Sequence, residues 1–314
     1  MSKPKLSIVG SYAAGLTMKT SRFPISGETL LGHDFTCMHG GKGSNQAIAC
    51  ARQGAESTLI ASIGDDLYGK AALELWAREH VDAAHVCISP NAPTGAGFIM
   101  VDQDGNNEIL IDLGANNKLS AEHVSQTADV IAASDVLLLQ LEIPLPPVAE
   151  ALKTASKNSV FSILNPAPWQ PLPLDILTGC SLITPNETEA KLMLGVPADS
   201  EIDINTLADS LLQKGLQSVI ITLGEKGCFI VNQQCRELIP AFSADAVDTT
   251  GAGDTFTASL GVALAEKASL KEAALFASAA SALSVSKYGV IDSLPTRQET
   301  EAFLQHEKEN VYAD

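Results

Sequence analysis

The stretch Ala246-Val247-Asp248-Thr249-Thr250-Gly251-Ala252-Gly253-Asp254-Thr255-Phe256 decides how the rest of the chain is read. An apolar segment runs into two threonines and a Gly-Ala-Gly turn, after which Asp254 opens a helical run over 255–266. Small residues let the backbone approach a ligand closely, and a helix start offers unpaired N–H groups to an anion. A carboxylate at that point can take a proton from an incoming hydroxyl, which is what phosphoryl transfer to an alcohol requires. A plainer reading competes with this one: Asp254 is simply the N-cap of the helix. The stretch is not a Walker A loop, because no Gly-Lys-Ser/Thr follows the glycines.

Working outward, 314 residues suit one large α/β domain, 1–314, carrying a small appendage. The formal net charge of −17 argues against a nucleic-acid or anionic-membrane partner, so any phosphate must be held by helix N-termini, a lysine or a divalent metal. The six cysteines form no Cys-x-x-Cys pair and show no His/Cys ligand spacing, which points to free thiols in a reducing cytoplasm. The N-terminus runs straight into a strand-like segment, 6–9, with no signal-peptide core, and no apolar run is long enough to span a bilayer.

In chain order, residues 12–38 contain Pro24, Gly27 and Gly32 among short alternating stretches and read as an antiparallel excursion from the main sheet. His39-Gly40-Gly41-Lys42-Gly43-Ser44-Asn45-Gln46-Ala47 opens a helix over 45–53. Its glycines, lysine and polar helix start suggest groups converging on a polar small molecule, or else a Gly-rich turn with an exposed lysine. A strand is expected over 57–63, and two more over 94–101 and 107–113, joined by the hairpin signal Asp102-Gln103-Asp104-Gly105-Asn106. These last two and the 12–38 excursion form one small sheet covering a cleft. A helix over 120–133 follows, then a strand over 136–141, and from there strands and helices alternate to the end of the core. The pattern predicts a mainly parallel central sheet with helices on both faces. Ligands in such sheets sit beyond the carboxyl ends of the strands, where Glu142, Asn165, Asn186, Thr222 and Asp254 all fall. That convergence favours the catalytic reading of Asp254 over the cap.

Gly40-Gly41-Lys42-Gly43-Ser44-Asn45-Gln46-Ala47 resembles the N-terminal signature of the ribokinase-like (PfkB) sugar kinases, and Asp248-Thr249-Thr250-Gly251-Ala252-Gly253-Asp254 resembles their C-terminal one. Asn165-Pro166-Ala167-Pro168, Asn186-Glu187-Thr188-Glu189 and Thr222-Leu223-Gly224-Glu225-Lys226-Gly227 match further family stretches in the same order. The resemblance spans essentially the whole chain and is nearest to the ribokinase branch. It implies an ATP-dependent kinase in which Asp254 is the general base for a primary hydroxyl and Gly251, Ala252 and Gly253 form an anion hole. Gly41, Lys42, Asn45 and Glu142 would hold the sugar, with Ala13 and Gly15 at two further substrate positions. Asn186, Thr222, Gly224, Gly227 and Ser278 would line the nucleotide. Asn186 and Glu189 would hold Mg²⁺ through water, though a helix N-terminus rich in acids explains that pair equally simply. Asp248, Thr250, Ser284, Lys287, Gly289 and Ser293 occupy the positions of a K⁺ site, chiefly as backbone carbonyls. Residues 12–38 and 94–113 would be the β-sheet lid, through which a homodimer is expected.

The loop after the first strand departs from the pattern. Ribokinases carry an asparagine and an aspartate there, where this chain has Ala13 and Gly15. Buried hydroxyls left unpaired disfavour a ligand strongly, so the expectation is a small sugar or polyol other than ribose. Tyr12 and His39 become candidate contacts, with Lys19 and Arg22 read as solvated surface. The alternatives are a sugar-binding regulator with catalysis lost, a nucleoside kinase or a phosphosugar kinase on the same fold.

Overall fold

Leu6-Ser7-Ile8-Val9 and Val136-Leu137-Leu138-Leu139 are wholly buried, as expected of central strands covered on both faces. They lie side by side in the computed structural model, which describes residues 2–311. The main sheet has nine strands, in the order Val81–Asp82, Glu56–Ile60, Lys5–Val9, Val136–Leu139, Phe161–Leu164, Leu182–Ile183, Ser218–Thr222, Cys228–Asn232 and Arg236–Ile239. All pairings are parallel except the two made by Cys228–Asn232, which are antiparallel. Because side chains alternate along a strand, Val136 and Leu138 enter one apolar core while Leu137 and Leu139 enter the other. The first core is shared with the helices Lys42–Arg52, Leu67–Arg78, Ala252–Ala265 and Leu270–Val285; the second with Leu145–Lys157 and Ile204–Gln213.

A separate four-stranded sheet runs in the order His33–Gly40, Ala13–Lys19, Ala96–Val101 and Asn107–Asp112. The first and last pairings are antiparallel and the middle one is parallel. Every residue of Asn107–Asp112 is exposed, including Ile109, Leu110 and Ile111. The Asp102 carboxylate accepts from the amides of Asp104 and Asn106, which fixes the turn that the sequence signalled.

Three expectations change. The strand expected over 57–63 divides: Glu56–Ile60 stays in the main sheet, while Ser62–Gly64 pairs with Cys87–Ser89. The diverted piece is held by Thr94, whose hydroxyl accepts from Gly64 N and donates to Asp66, the N-cap of the next helix. The helix expected over 120–133 becomes Ala121–Gln126 and Ala128–Ala132, broken at Thr127, whose hydroxyl donates to the Val124 carbonyl. The helix expected from 45 begins at Lys42, and the Arg236–Ile239 strand and Arg297–Val311 helix had no forecast at all.

Candidate active site

The helix starting at Lys42 is pressed onto the loop that leaves the first strand. Gly41 has φ 89°, and a Cβ there would lie 2.5 Å from Tyr12 Cα, so neither the turn nor the approach admits a side chain. Glu142, just past the 136–139 strand, ties the same two segments together. Its Oε2 accepts from Ser11 Oγ at 2.5 Å and from Lys42 N at 2.8 Å. An acid at that place suits the positive end of the helix.

The Ala252–Ala265 helix starts differently from the plainer sequence reading. Its N-cap is Gly251, left-handed at φ 80°, so Asp254 lies inside the first turn and is not the cap. Asp254 is only 4% exposed, and its carboxylate is held from the side by the other helix: Asn45 Nδ2 donates to Oδ2 at 2.9 Å and Gln46 Nε2 to Oδ1 at 3.0 Å. Gln46 is oriented in turn by Gln140 Nε2, which donates to its Oε1 at 2.6 Å. Asn45 Oδ1 is buried with no protein partner, an acceptor left open beside the carboxylate.

Among the described residues, the amides of Gly251, Gly253 and Asp254 have no protein acceptor. The N–H of Ala252, the third residue expected in the anion hole, donates to the Thr249 carbonyl at 3.2 Å. The left-handed Gly251 folds the 249–252 turn tightly enough to close that bond.

Lys42 is deeply set, and its pKa is raised. The Asp254 charge is the main cause and burial opposes it, while Glu142 and Glu189 add to the rise. The ammonium therefore stays charged in a protein whose net charge is −17. Lys42, Asn165, Thr184, Asn186, Glu189, Thr222, Gly253 and Thr257 surround a small polar cavity next to Asp254. Gly253 and Thr222 also border a much larger cavity of about 780 Å³, lined further by Gly224, Gly227, Phe242, Ala252, Ser278 and Ser281. Its walls are mainly apolar, as small-molecule pockets usually are.

Asn186 and Glu189 form a capping box, each side chain bonding the other's backbone N–H at 2.8 Å. Burial raises the Glu189 pKa; the Asn186 N–H and Lys42 oppose this and the Asp254 charge adds to it. Among the described residues no three His, Cys, Asp or Glu side chains converge as a metal cage. One amide oxygen and one carboxylate, Asn186 and Glu189 at the edge of the small cavity, fit a cation such as Mg²⁺ that keeps its waters and is held chiefly by phosphates.

Asp248 joins the two loops of the expected K⁺ site, accepting from Thr250 N at 2.9 Å and Gly289 N at 3.1 Å. Lys287 turns its ammonium outward to Glu299, and the Ser284 and Ser293 hydroxyls donate to the Ser281 and Val290 carbonyls. Ala13 and Gly15 lie on the Ala13–Lys19 strand of the small sheet, opposite Gly40 and Met38. Tyr12 does not face the cleft: its ring packs edge-on against Trp76 and its hydroxyl hydrogen-bonds with His39 Nδ1 at 2.8 Å. Lys19 and Arg22 pair with Asp34 and Glu28 at the surface.

Residues 3–297 match the model of the pfkB family carbohydrate kinases. The chain belongs to the pfkB family of carbohydrate kinases. Like its family, it is a phosphotransferase with a hydroxyl acceptor. It is 42% identical over 301 residues to a ribokinase of Haemophilus influenzae, covering 96% of this chain and 98% of that one. A deoxyribokinase of Salmonella typhi is 33% identical over 307 residues, covering 95% and 98%. A structure of Arabidopsis thaliana ribokinase complexed with ribose and ATP superposes with a TM-score of 0.92 at 32% identity, covering 96% and 99% of the two chains.

Gln46, Gln140 and Ser11 were given no role from the sequence of this pfkB kinase. The only signal was position: Gln46 lies inside the Gly40–Ala47 signature, and Gln140 directly follows a central strand, where ligand-binding residues collect.

Proposed function

We propose that the chain transfers the γ-phosphoryl group of ATP to a primary hydroxyl of a small sugar or polyol, with Asp254 as general base. The supporting observation is the place of the Asp254 carboxylate. It is buried, clamped by Asn45 and Gln46, and sits in the first helical turn directly after Gly253, which borders both the small cavity and the large one. Asp254 takes the hydroxyl proton as the sugar oxygen bonds to the γ-phosphorus, and the bond from that phosphorus to the β–γ bridging oxygen breaks, releasing ADP. The amides of Gly251 and Gly253 and the Lys42 ammonium take up charge on the transferred group. Asn45, Glu142, Gly41 and Lys42 orient the sugar; Thr222, Gly224, Gly227 and Ser278 flank the nucleotide. Mg²⁺ brought with ATP would screen phosphate charge, with Asn186 and Glu189 reaching it through water. K⁺ beside Asp248 would stiffen the loop that leads into Gly251.

The lid is part of the same reading: residues 12–38 and 94–113 would cover the sugar. Its outer apolar residues Phe35, Leu110 and Ile111, 57%, 72% and 64% exposed, would be covered by a second copy of the chain. The six cysteines are free, in keeping with a reducing cytoplasm.

The ribokinase names among the relatives, at up to 42% identity, stand against the expectation of a different sugar, with a deoxyribokinase at 33% beside them. What favours a different or deoxygenated sugar is local: neither Ala13 nor Gly15 can hydrogen-bond a hydroxyl through its side chain. The question is open to a direct test. A Cβ at Gly15 would meet only Met38 O at 3.7 Å and Ile99 Cδ1 at 3.9 Å, ordinary contacts, so a side chain can begin there without a clash. The double variant Ala13→Asn, Gly15→Asp is expected to lower the KM for ribose about tenfold or more relative to wild type. An unchanged ribose KM, already as low as that for any other sugar, would show that ribose is served without those side chains. The buried Tyr12 ring offers no face for a base to stack on, which counts against a nucleoside acceptor.

A further inference from the structure

The large cavity is closed along one side by residues Ala241, Phe242, Ser243, Ala244 and Ala246. These belong to the connection between the Arg236–Ile239 strand and the Ala252–Ala265 helix. Among the described residues, none from 241 to 246 makes a hydrogen bond; the segment is fastened again only at Val247, whose N–H donates to the Val285 carbonyl at 2.8 Å. A wall without hydrogen bonds must be placed by packing. The ring contact it makes is between Phe242 and Phe303, edge to face with centroids 5.5 Å apart and planes at 74°. Phe303 comes from the Arg297–Val311 helix, whose first residue is the last one the family model matches.

We propose that Phe303 is a positioning residue for the nucleotide: through Phe242 it holds the 241–246 wall against the base end of the cavity. This rests on reading that cavity as the ATP site. The C-terminal helix is anchored independently of this contact. Thr300 is buried against Gln53, and Arg297 stacks over Phe276 and pairs with Glu266. A rigid helix carrying one ring to an otherwise unfastened wall is the arrangement of a brace. Nothing in it reaches Asp254, Asn45 or Glu142, so its removal should be felt by the nucleotide and not by the sugar.

The test compares Phe303→Ala, Phe303→Leu and Phe303→Tyr with wild type, using ADP with Mg²⁺ as titrant in calorimetry and steady-state kinetics for ATP and sugar separately. Phe303→Ala is expected to raise the ADP dissociation constant and the KM for ATP about tenfold, with kcat within twofold and the sugar KM unchanged. Phe303→Tyr, which keeps the ring, should behave as wild type. If Phe303→Ala does not fold, Phe303→Leu carries the test with a shift of about threefold. An unchanged ADP affinity in a folded variant, or equal shifts in the ATP and sugar constants, would overturn the brace. Wild-type protein that binds no ADP would instead remove the nucleotide reading beneath it.

Discussion

Replacing Asp254 by asparagine is expected to lower kcat by about 10²–10⁴-fold, the usual worth of a positioned base, while the KM values for ATP and sugar move only a few-fold. Asparagine matches the shape of aspartate, so both cavities keep their outlines. It cannot accept the hydroxyl proton. Its amide also meets two donors, Asn45 Nδ2 and Gln46 Nε2, where the carboxylate had an acceptor for each. One of these contacts becomes donor against donor, at a cost of about 1–3 kcal/mol in stability. Thermal unfolding must therefore accompany the kinetics. A variant that stays folded, with kcat near wild type and a raised sugar KM, would make Asp254 a sugar ligand and not the base.

The second large effect should come from Gly253→Ala, and in it stability and activity should part. A Cβ at Gly253 meets nothing within 4 Å, so the methyl costs no packing in the protein alone. Alanine in a helix is favoured over glycine by about 0.5–1 kcal/mol, so the melting temperature should hold or rise. Yet Gly253 borders both cavities, and the methyl would stand where the transferred phosphoryl group must pass. A loss of about 10²-fold in kcat/KM for ATP is expected, comparable to removing one anion-hole donor. At Gly251, φ is 80° and a Cβ would lie 2.8 Å from Val290 Cγ1, so alanine there should cost both stability and activity. Unchanged kinetics in Gly253→Ala would mean that the phosphate passes elsewhere.

The readability of this sequence followed from how local each feature is. Wholly buried strands such as 6–9 and 136–139 announce themselves as apolar runs, and glycine signatures mark places where backbone must come close to something. The register of Asp254 was harder. An aspartate after Gly-Ala-Gly is a good cap in isolation, and only the left-handed Gly251 shows that the cap lies three residues earlier. Gln46 and Gln140 were missed because their function is relational. Gln140 turns the Gln46 amide, and Gln46 holds Asp254, across 94 and 208 residues of sequence. The Ser62–Gly64 strand was misassigned for a similar reason, since the partner that diverts it, Thr94, lies 30 residues away. Phe303 is the extreme case: an aromatic on a polar C-terminal helix carries no signal of the cavity wall it meets.

The most direct measurement is product analysis of the wild-type protein with ATP, Mg²⁺ and K⁺ against ribose, deoxyribose, hexoses, polyols and nucleosides. The expected result is ADP released one for one with a sugar phosphorylated on its primary hydroxyl, for one class of sugar and not for nucleosides. Binding of both sugar and ATP with no phosphosugar formed would contradict it and leave a sugar-binding regulator on a kinase fold.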